Sequence, residues 1–235
     1  MKKGLIILSV ILNVVLLAAV VYIGGYKTDY FKRVYAKITH TPYVPERQDD
    51  SCVQSWNNCI KKLDMQTDVV FFGDSHIACG DFQTAFPNMS SINLGYLGED
   101  TKGMLRCVEA IAAVQPKKVF LMGGINGLKN QSLDDFEYWY VALMDSIRAA
   151  VPNAELYVHT LLPITIWSDY CDNAKILEAN KIIGKIAVER NLTYIDLHSS
   201  YARDNSLPDS MSDDGLHLTS EAYGVWYDAI KEYVE

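Results

Sequence analysis

A chain of 235 residues is long enough for one sizeable α/β domain plus a short additional segment. Its 49% hydrophobic and 21% charged residues fit a globular core with a solvated surface. The formal charge of -8, with both signs mixed along the chain, lacks the clustered basic patch that a nucleic-acid partner requires.

In chain order, Lys2 and Lys3 come first, followed by an uncharged apolar run from Gly4 to Gly25. A helix over that run would span roughly 33 Å, the thickness of a bilayer core. The run outlasts the about 7–15 apolar residues of a cleavable signal, and Leu17-Ala18-Ala19 lacks an A-x-A cleavage pattern. Residues 1–25 are therefore expected to be an uncleaved transmembrane signal anchor, with a cleaved signal peptide as the rival reading. Lys27, Lys32, Arg33 and Lys37 follow the run, so charge bias alone does not orient it. The very short tail with two lysines favours export of the rest of the chain to the periplasm or cell surface.

Residues 26–66, with Thr41-Pro42-Tyr43-Val44-Pro45 and Gln48-Asp49-Asp50, read as a stalk or lead-in with a short helix near Val53–Lys62. Cys52 and Cys59 are close enough in sequence to bridge in an oxidising space. Cys79, Cys107 and Cys171 fall in segments that read as elements of the fold, where small buried residues belong. The cysteines and histidines show no zinc-type spacing.

From residue 67 onward, strand-like and helix-like patterns alternate. Val69-Val70-Phe71-Phe72 is a continuous apolar run suited to a strand buried on both faces. Further strands are predicted at 91–94, 118–122, 156–161 and 193–197. Helices are predicted over Thr101–Val114, from an N-cap at Ser132 to Ala150, over Asp172–Arg190, and over Ser220–Val234. This alternation implies a parallel sheet with helices on both faces. Ligands in such sheets bind at the carboxyl ends of the strands.

That is where the unusual residues fall. Gly73-Asp74-Ser75-His76 leaves the first strand, and a serine on that turn can project its hydroxyl over the end of the sheet. Asn93-Leu94-Gly95-Tyr96-Leu97-Gly98-Glu99-Asp100 follows the second strand, where glycine lets a backbone N–H approach a substrate. Gly123-Gly124-Ile125-Asn126-Gly127 follows the third, and an amide there can donate one N–H to a developing oxyanion. Asp213-Asp214-Gly215-Leu216-His217 precedes the last helix, a spacing that can set a carboxylate against one imidazole nitrogen and leave the other free. Each block alone reads equally well as a cap or turn; their order and placement together point to a reactive serine.

Gly73-Asp74-Ser75, Gly98, Gly124-x-Asn126 and Asp214-x-x-His217 resemble the four blocks of the SGNH (GDSL-like) hydrolases. The runs 93–105 and 117–128 are most similar to the bacterial branch that includes acetylhydrolases resembling platelet-activating-factor acetylhydrolase. The resemblance covers about residues 67–233 and implies a three-layer α/β/α flavodoxin-like fold of about five parallel strands over 67–235. It implies Ser75 as nucleophile, His217 as base and Asp214 as orienter of the imidazole. It implies an oxyanion hole of the Ser75 and Gly98 backbone N–H groups and the Asn126 amide. Gly127 stands where many relatives carry Asp.

The chemistry agrees with these roles. A serine hydroxyl is a weak nucleophile until a base takes its proton, and histidine as a residue type titrates near neutral pH. The expected activity is hydrolysis of acetyl or short acyl esters, with no cofactor and no metal, on a small acyl ester or an acylated cell-surface glycan. An O-acyltransferase, a lysophospholipase and a non-catalytic binding module are the alternatives. His76 is expected to diverge from Ser75, His159 and His198 to be structural, and Asp81 and Asp196 to be a cap and a loop anchor.

Overall fold

A computed structural model describes residues 13–16, 38, 51–62 and 65–235. The chain divides into two units, Met1–Pro45 and Glu46–Glu235. In the first, the described positions 13–16 and 38 are helical. The expected anchor over residues 1–25 otherwise lies outside the described residues, and among these no helix is long and apolar enough to cross a membrane.

The second unit begins with helix α1 (Ser51–Lys62), then β1 (Val69–Gly73), α2 (Ser75–Ala78), α3 (Phe82–Ala85) and β2 (Ser91–Gly95). There follow α4 (Thr101–Met104), a 3-10 turn over Leu105–Cys107, α5 (Val108–Val114) and β3 (Lys118–Met122). The chain continues through α6 (Ile125–Leu128), α7 (Leu133–Ala150), β4 (Glu155–His159) and α8 (Asn173–Glu189). It closes with β5 (Thr193–Ile195), α9 (Leu197–Tyr201), a 3-10 turn over Asp209–Met211 and α10 (Tyr223–Val234).

The five strands are all parallel in the order β2-β1-β3-β4-β5. Successive connections run outward in opposite directions from β1, so a crevice opens between the carboxyl ends of β1 and β3. Alternate strand residues face opposite layers. Phe71, Phe120 and Tyr157 are register neighbours on one face, their rings stacked with centroids 5.3 and 4.4 Å apart. Phe82 stacks on Phe71 at 4.0 Å and meets Trp226 of α10 edge-on, which seals that face. Burying each such ring stabilises the fold by about 1.5–3 kcal/mol. Val70, Phe72, Val119 and Leu121 are equally buried on the other face. Its layer is the series in which α1 packs on α5, α5 on α7, and α7 on α8.

Two boundaries differ from expectation. The helix predicted over 101–114 is broken at 105–107, where the Arg106 guanidinium turns back to the Glu99 carboxylate at 3.2 Å. The stretch expected as a stalk or lead-in holds the expected short helix, α1, which starts two residues earlier and packs on α5. Asn57 of α1 is buried, donates to the Arg106 carbonyl at 3.0 Å and accepts from the Tyr96 hydroxyl at 3.0 Å. Cys59 is a free thiol.

Candidate active site

The turn after β1 is fixed by its surroundings. A Cβ on Gly73 would lie 1.8 Å from the Met122 carbonyl oxygen, so only glycine lets β1 run this close to β3 before turning. Asp74 then caps α2, its Oδ1 accepting the His76 N–H at 3.1 Å. Asp74 Oδ2 accepts the Gly124 N–H at 3.2 Å, which ties this turn to the end of β3. Ser75 is the first residue of α2, so its N–H has no acceptor within the helix. The residue is only 5% exposed.

The loop before α10 reaches the same point from 142 positions away. His217 Nε2 lies 2.9 Å from Ser75 Oγ, and His217 Nδ1 lies 2.6 Å from Asp214 Oδ2. Asp214 Oδ1 accepts the backbone N–H groups of Leu216 and His217 at 2.9 and 2.8 Å. Partial burial works against its charge, but the His217 side chain and these two N–H groups outweigh it and hold the Asp214 carboxyl well below the usual carboxylate range. A lasting negative charge on Nδ1–H favours the tautomer whose bare Nε2 can take the serine proton.

The other two blocks meet beside this pair. Gly98 sits at φ 73, a left-handed conformation that favours glycine, and nothing lies within 4 Å of where a Cβ would be. Its N–H thus belongs to an exposed turn bordering open space. The next residue anchors that turn through the Glu99–Arg106 ion pair, and Asp100 caps α4 by accepting the Gly103 N–H at 2.7 Å. Asn126, at the start of α6, donates one Nδ2 hydrogen to the Glu99 carbonyl at 2.9 Å, which locks the β3 and β2 loops together. Its Oδ1 accepts the Tyr170 hydroxyl at 2.5 Å. With the oxygen engaged and one hydrogen used, the second Nδ2 hydrogen is left for a ligand.

All five residues singled out from the sequence (Ser75, Gly98, Asn126, Asp214 and His217) are therefore held at the carboxyl edge of β1, β2 and β3 or in the loop that folds over it. One contributor escaped sequence reasoning. Tyr170 lies in the irregular β4–α8 loop and orients the Asn126 amide; Lys129 Nζ sits 5.3 Å from the centre of its ring. His76 diverges from Ser75, and its Nε2 lies 3.0 Å from the Leu216 carbonyl. Gly127 is buried in α6, where the Gln131 side chain fills the space that a Cβ would need. Asp81 and Asp196 cap α3 and α9, and His159 donates from Nδ1 to the Leu121 carbonyl at 3.0 Å. Among the described residues, no group of three His, Cys, Asp or Glu side chains could hold a metal ion.

Comparison with known proteins gives one family and many solved structures of similar fold. Residues 71–225 match the model of the GDSL-like lipase/acylhydrolase family. A Streptococcus pneumonia protein described provisionally as a platelet activating factor has a similar structure, with a TM-score of 0.72 and 20% identity over 80% of this chain and 94% of that one. A provisionally described acylhydrolase from Bacteroides fragilis gives a TM-score of 0.69 and 21% identity over 80% and 98%. An acetylxylan esterase from Geobacillus stearothermophilus gives 0.59 and 18% over 74% and 96%. None of the curated proteins compared matches the chain in sequence.

Proposed function

Since the chain belongs to the GDSL-like lipase/acylhydrolase family, we propose that it is a serine esterase removing acetyl or other short acyl groups, through an acyl-enzyme, from cell-surface glycans. The observation that carries the reading is the continuous relay from Asp214 Oδ2 through His217 to Ser75 Oγ, at 2.6 and 2.9 Å. In the first half-reaction Ser75 Oγ bonds to the ester carbonyl carbon while its proton passes to His217 Nε2. The carbonyl oxygen takes the electron pair as an oxyanion and meets the N–H groups of Ser75 and Gly98 and the free Nδ2 hydrogen of Asn126. When the carbonyl reforms, the C–O bond to the alcohol breaks and His217 returns its proton to the departing oxygen. Water repeats the sequence on the acyl-enzyme, releasing the acid and restoring the serine. Asp214 stays ionised throughout and stabilises the imidazolium.

The surroundings suit an alcohol moiety with an apolar face. Trp167 is 53% exposed, its ring against the Gly215 turn that leads to His217, and it is fixed through Nε1 to Asp209 at 3.0 Å. Leu97, beside Gly98, is 73% exposed. The apolar run at residues 4–25 supports tethering at a membrane with the esterase domain outside the cytoplasm.

A fluorophosphonate probe tests the reading. It should label Ser75 one to one, and Ser75→Ala should lose both the label and acetate release from p-nitrophenyl acetate and acetylated glycans. Full hydrolysis by purified Ser75→Ala protein would refute the assignment. Acetate release that falls while acylated product forms on an added sugar acceptor would mark a transferase.

A further inference from the structure

Next to the relay lies a second Asp–His pair that the reaction does not use. Asp74 and His76 flank Ser75, and their side chains are only 0% and 1% exposed. His76 Nε2 lies 3.0 Å from the carbonyl oxygen of Leu216, the residue before His217. A carbonyl only accepts, so Nε2 must carry a hydrogen. His76 Nδ1 faces Asp74 Oδ1 at 3.4 Å. A bare lone pair there would meet a carboxylate oxygen in a dry interior, whereas an N–H would meet it as an ion pair. Nδ1 makes no hydrogen bond at that distance, so it is the charge of Asp74 beside it that favours the doubly protonated ring.

The surrounding charges agree. Burial alone would push His76 toward its neutral form, but Asp74, then the Leu216 carbonyl and Asp214, outweigh it and raise its pKa above the ordinary histidine value. From α10, the Tyr223 hydroxyl donates to the His76 carbonyl at 2.7 Å, and the His217 ring is centred 5.5 Å away. Asp74 also holds Gly124, two residues before Asn126. One buried pair thus touches the turn of Ser75, the loop of Asn126 and the loop of His217.

We propose that His76 is a positioning residue of this site: an imidazolium held by Asp74, it pins the loop bearing His217 to the turn bearing Ser75. The role rests on the esterase reading of Ser75 and His217; the protonation state does not.

The experiment has a spectroscopic and a kinetic arm. Nitrogen NMR of isotope-labelled native protein at pH 7 should show both ring nitrogens of His76 protonated. His76→Leu that keeps a cooperative thermal melt should lower kcat about 10–100-fold, the penalty of a catalytic group moved by a fraction of its working distance. Its KM should stay within about twofold, because uniform substrate binding is untouched. Fluorophosphonate labelling of Ser75 should slow in step. His76→Gln, whose amide nitrogen can still reach the Leu216 carbonyl, should recover part of the rate, and it serves with the NMR arm if His76→Leu does not fold. A singly protonated His76 ring, or a folded His76→Leu enzyme with native kcat, overturns the proposal. Native protein that takes no label brings down the esterase reading and the positioning role together. Native labelling that His76→Leu leaves at full speed sinks the role alone.

Discussion

The carboxyl edge of the sheet has two halves that differ in kind. At β1 and β3 polar groups are paired in a network: Asp74 with Gly124, Asn126 with Glu99 and Tyr170, and His217 with Ser75 across loops, and Asp214 with His217 within one. At β4 and β5 there is a cleft of about 440 Å³, lined by Leu177, Gly184, Val188, Tyr194 and His198. It is mostly apolar, and the buried Nε2 of His198 has no hydrogen-bond partner there. The same contrast appears in two fully buried histidines. His76 has a carboxylate beside it, and its protonated form is favoured. His159 is driven by burial down to a pKa of about 3, against which the Leu121 carbonyl is a small counterweight. Burial alone neutralises a side chain; a placed partner charge makes it a working one. On the proposed reading the half with arranged charges is the reactive one, although the other has the room.

The sharpest way to break this comparison is to remove an arranged donor. Asn126→Ala should lower kcat about 10²–10³-fold, the usual cost of one oxyanion donor. KM should move far less, because the donor acts on charge that exists only in the transition state. Steady-state kinetics on an acetyl ester check this, with a thermal melt confirming the fold. A loss below about threefold would mean that the free hydrogen of Asn126 does not point at the reacting oxygen.

Much of the candidate site was legible in the sequence. Continuous apolar runs mark buried parallel strands, and the residues just after them sit on the edge where such sheets bind ligands. Asp214 and His217 are three apart, so their pairing is local and readable. What could not be read depends on contacts between distant loops. Nothing in the letters around His76 shows that its ring reaches Leu216, 140 positions on. Tyr170 lies in a loop with no periodicity, so no pattern pairs it with Asn126. The break at Leu105–Cys107 falls where Arg106 pairs with Glu99, a contact that an otherwise helical pattern does not reveal. The inclusion of α1 in the domain likewise depends on Asn57 meeting Arg106 and Tyr96.

A second test acts on the quieter half through pH. His159 is neutral when folded, with a pKa of about 3, and unfolding frees it to bind a proton below its ordinary value of 6.5. Its contribution is thus fully present above about pH 6.5 and lost progressively as pH falls toward 3. Between pH 7.5 and 5 this amounts to about 2 kcal/mol, roughly a 30-fold change in the folding equilibrium. His76 acts with the opposite sign: its raised pKa gives stability that is present below 6.5 and lost as pH rises. Urea unfolding of the native chain and of His159→Phe at both pH values isolates the term. The variant should lose about 2 kcal/mol less on acidification. Equal losses would show that His159 is protonated in the folded protein, and the contrast with His76 would collapse.

The loop between the two halves offers the finest test. It leaves β4 at Thr160, which lines the β4–β5 cleft, and reaches the active edge at Tyr170. Tyr170→Phe keeps the ring near Lys129 and removes only the hydroxyl donated to Asn126 Oδ1. The Glu99 carbonyl still holds one amide hydrogen, so the Asn126 side chain should loosen without leaving its place. One lost hydrogen bond of about 1–1.5 kcal/mol, felt mainly in the transition state, predicts a fall in kcat of about tenfold. The double variant Asn126→Ala with Tyr170→Phe distinguishes this from a general effect on the loop. If Tyr170 works only through Asn126, the second change should add nothing to the first, and a double-mutant cycle will show full coupling. Independent, multiplying losses would instead give Tyr170 a contact of its own with the substrate.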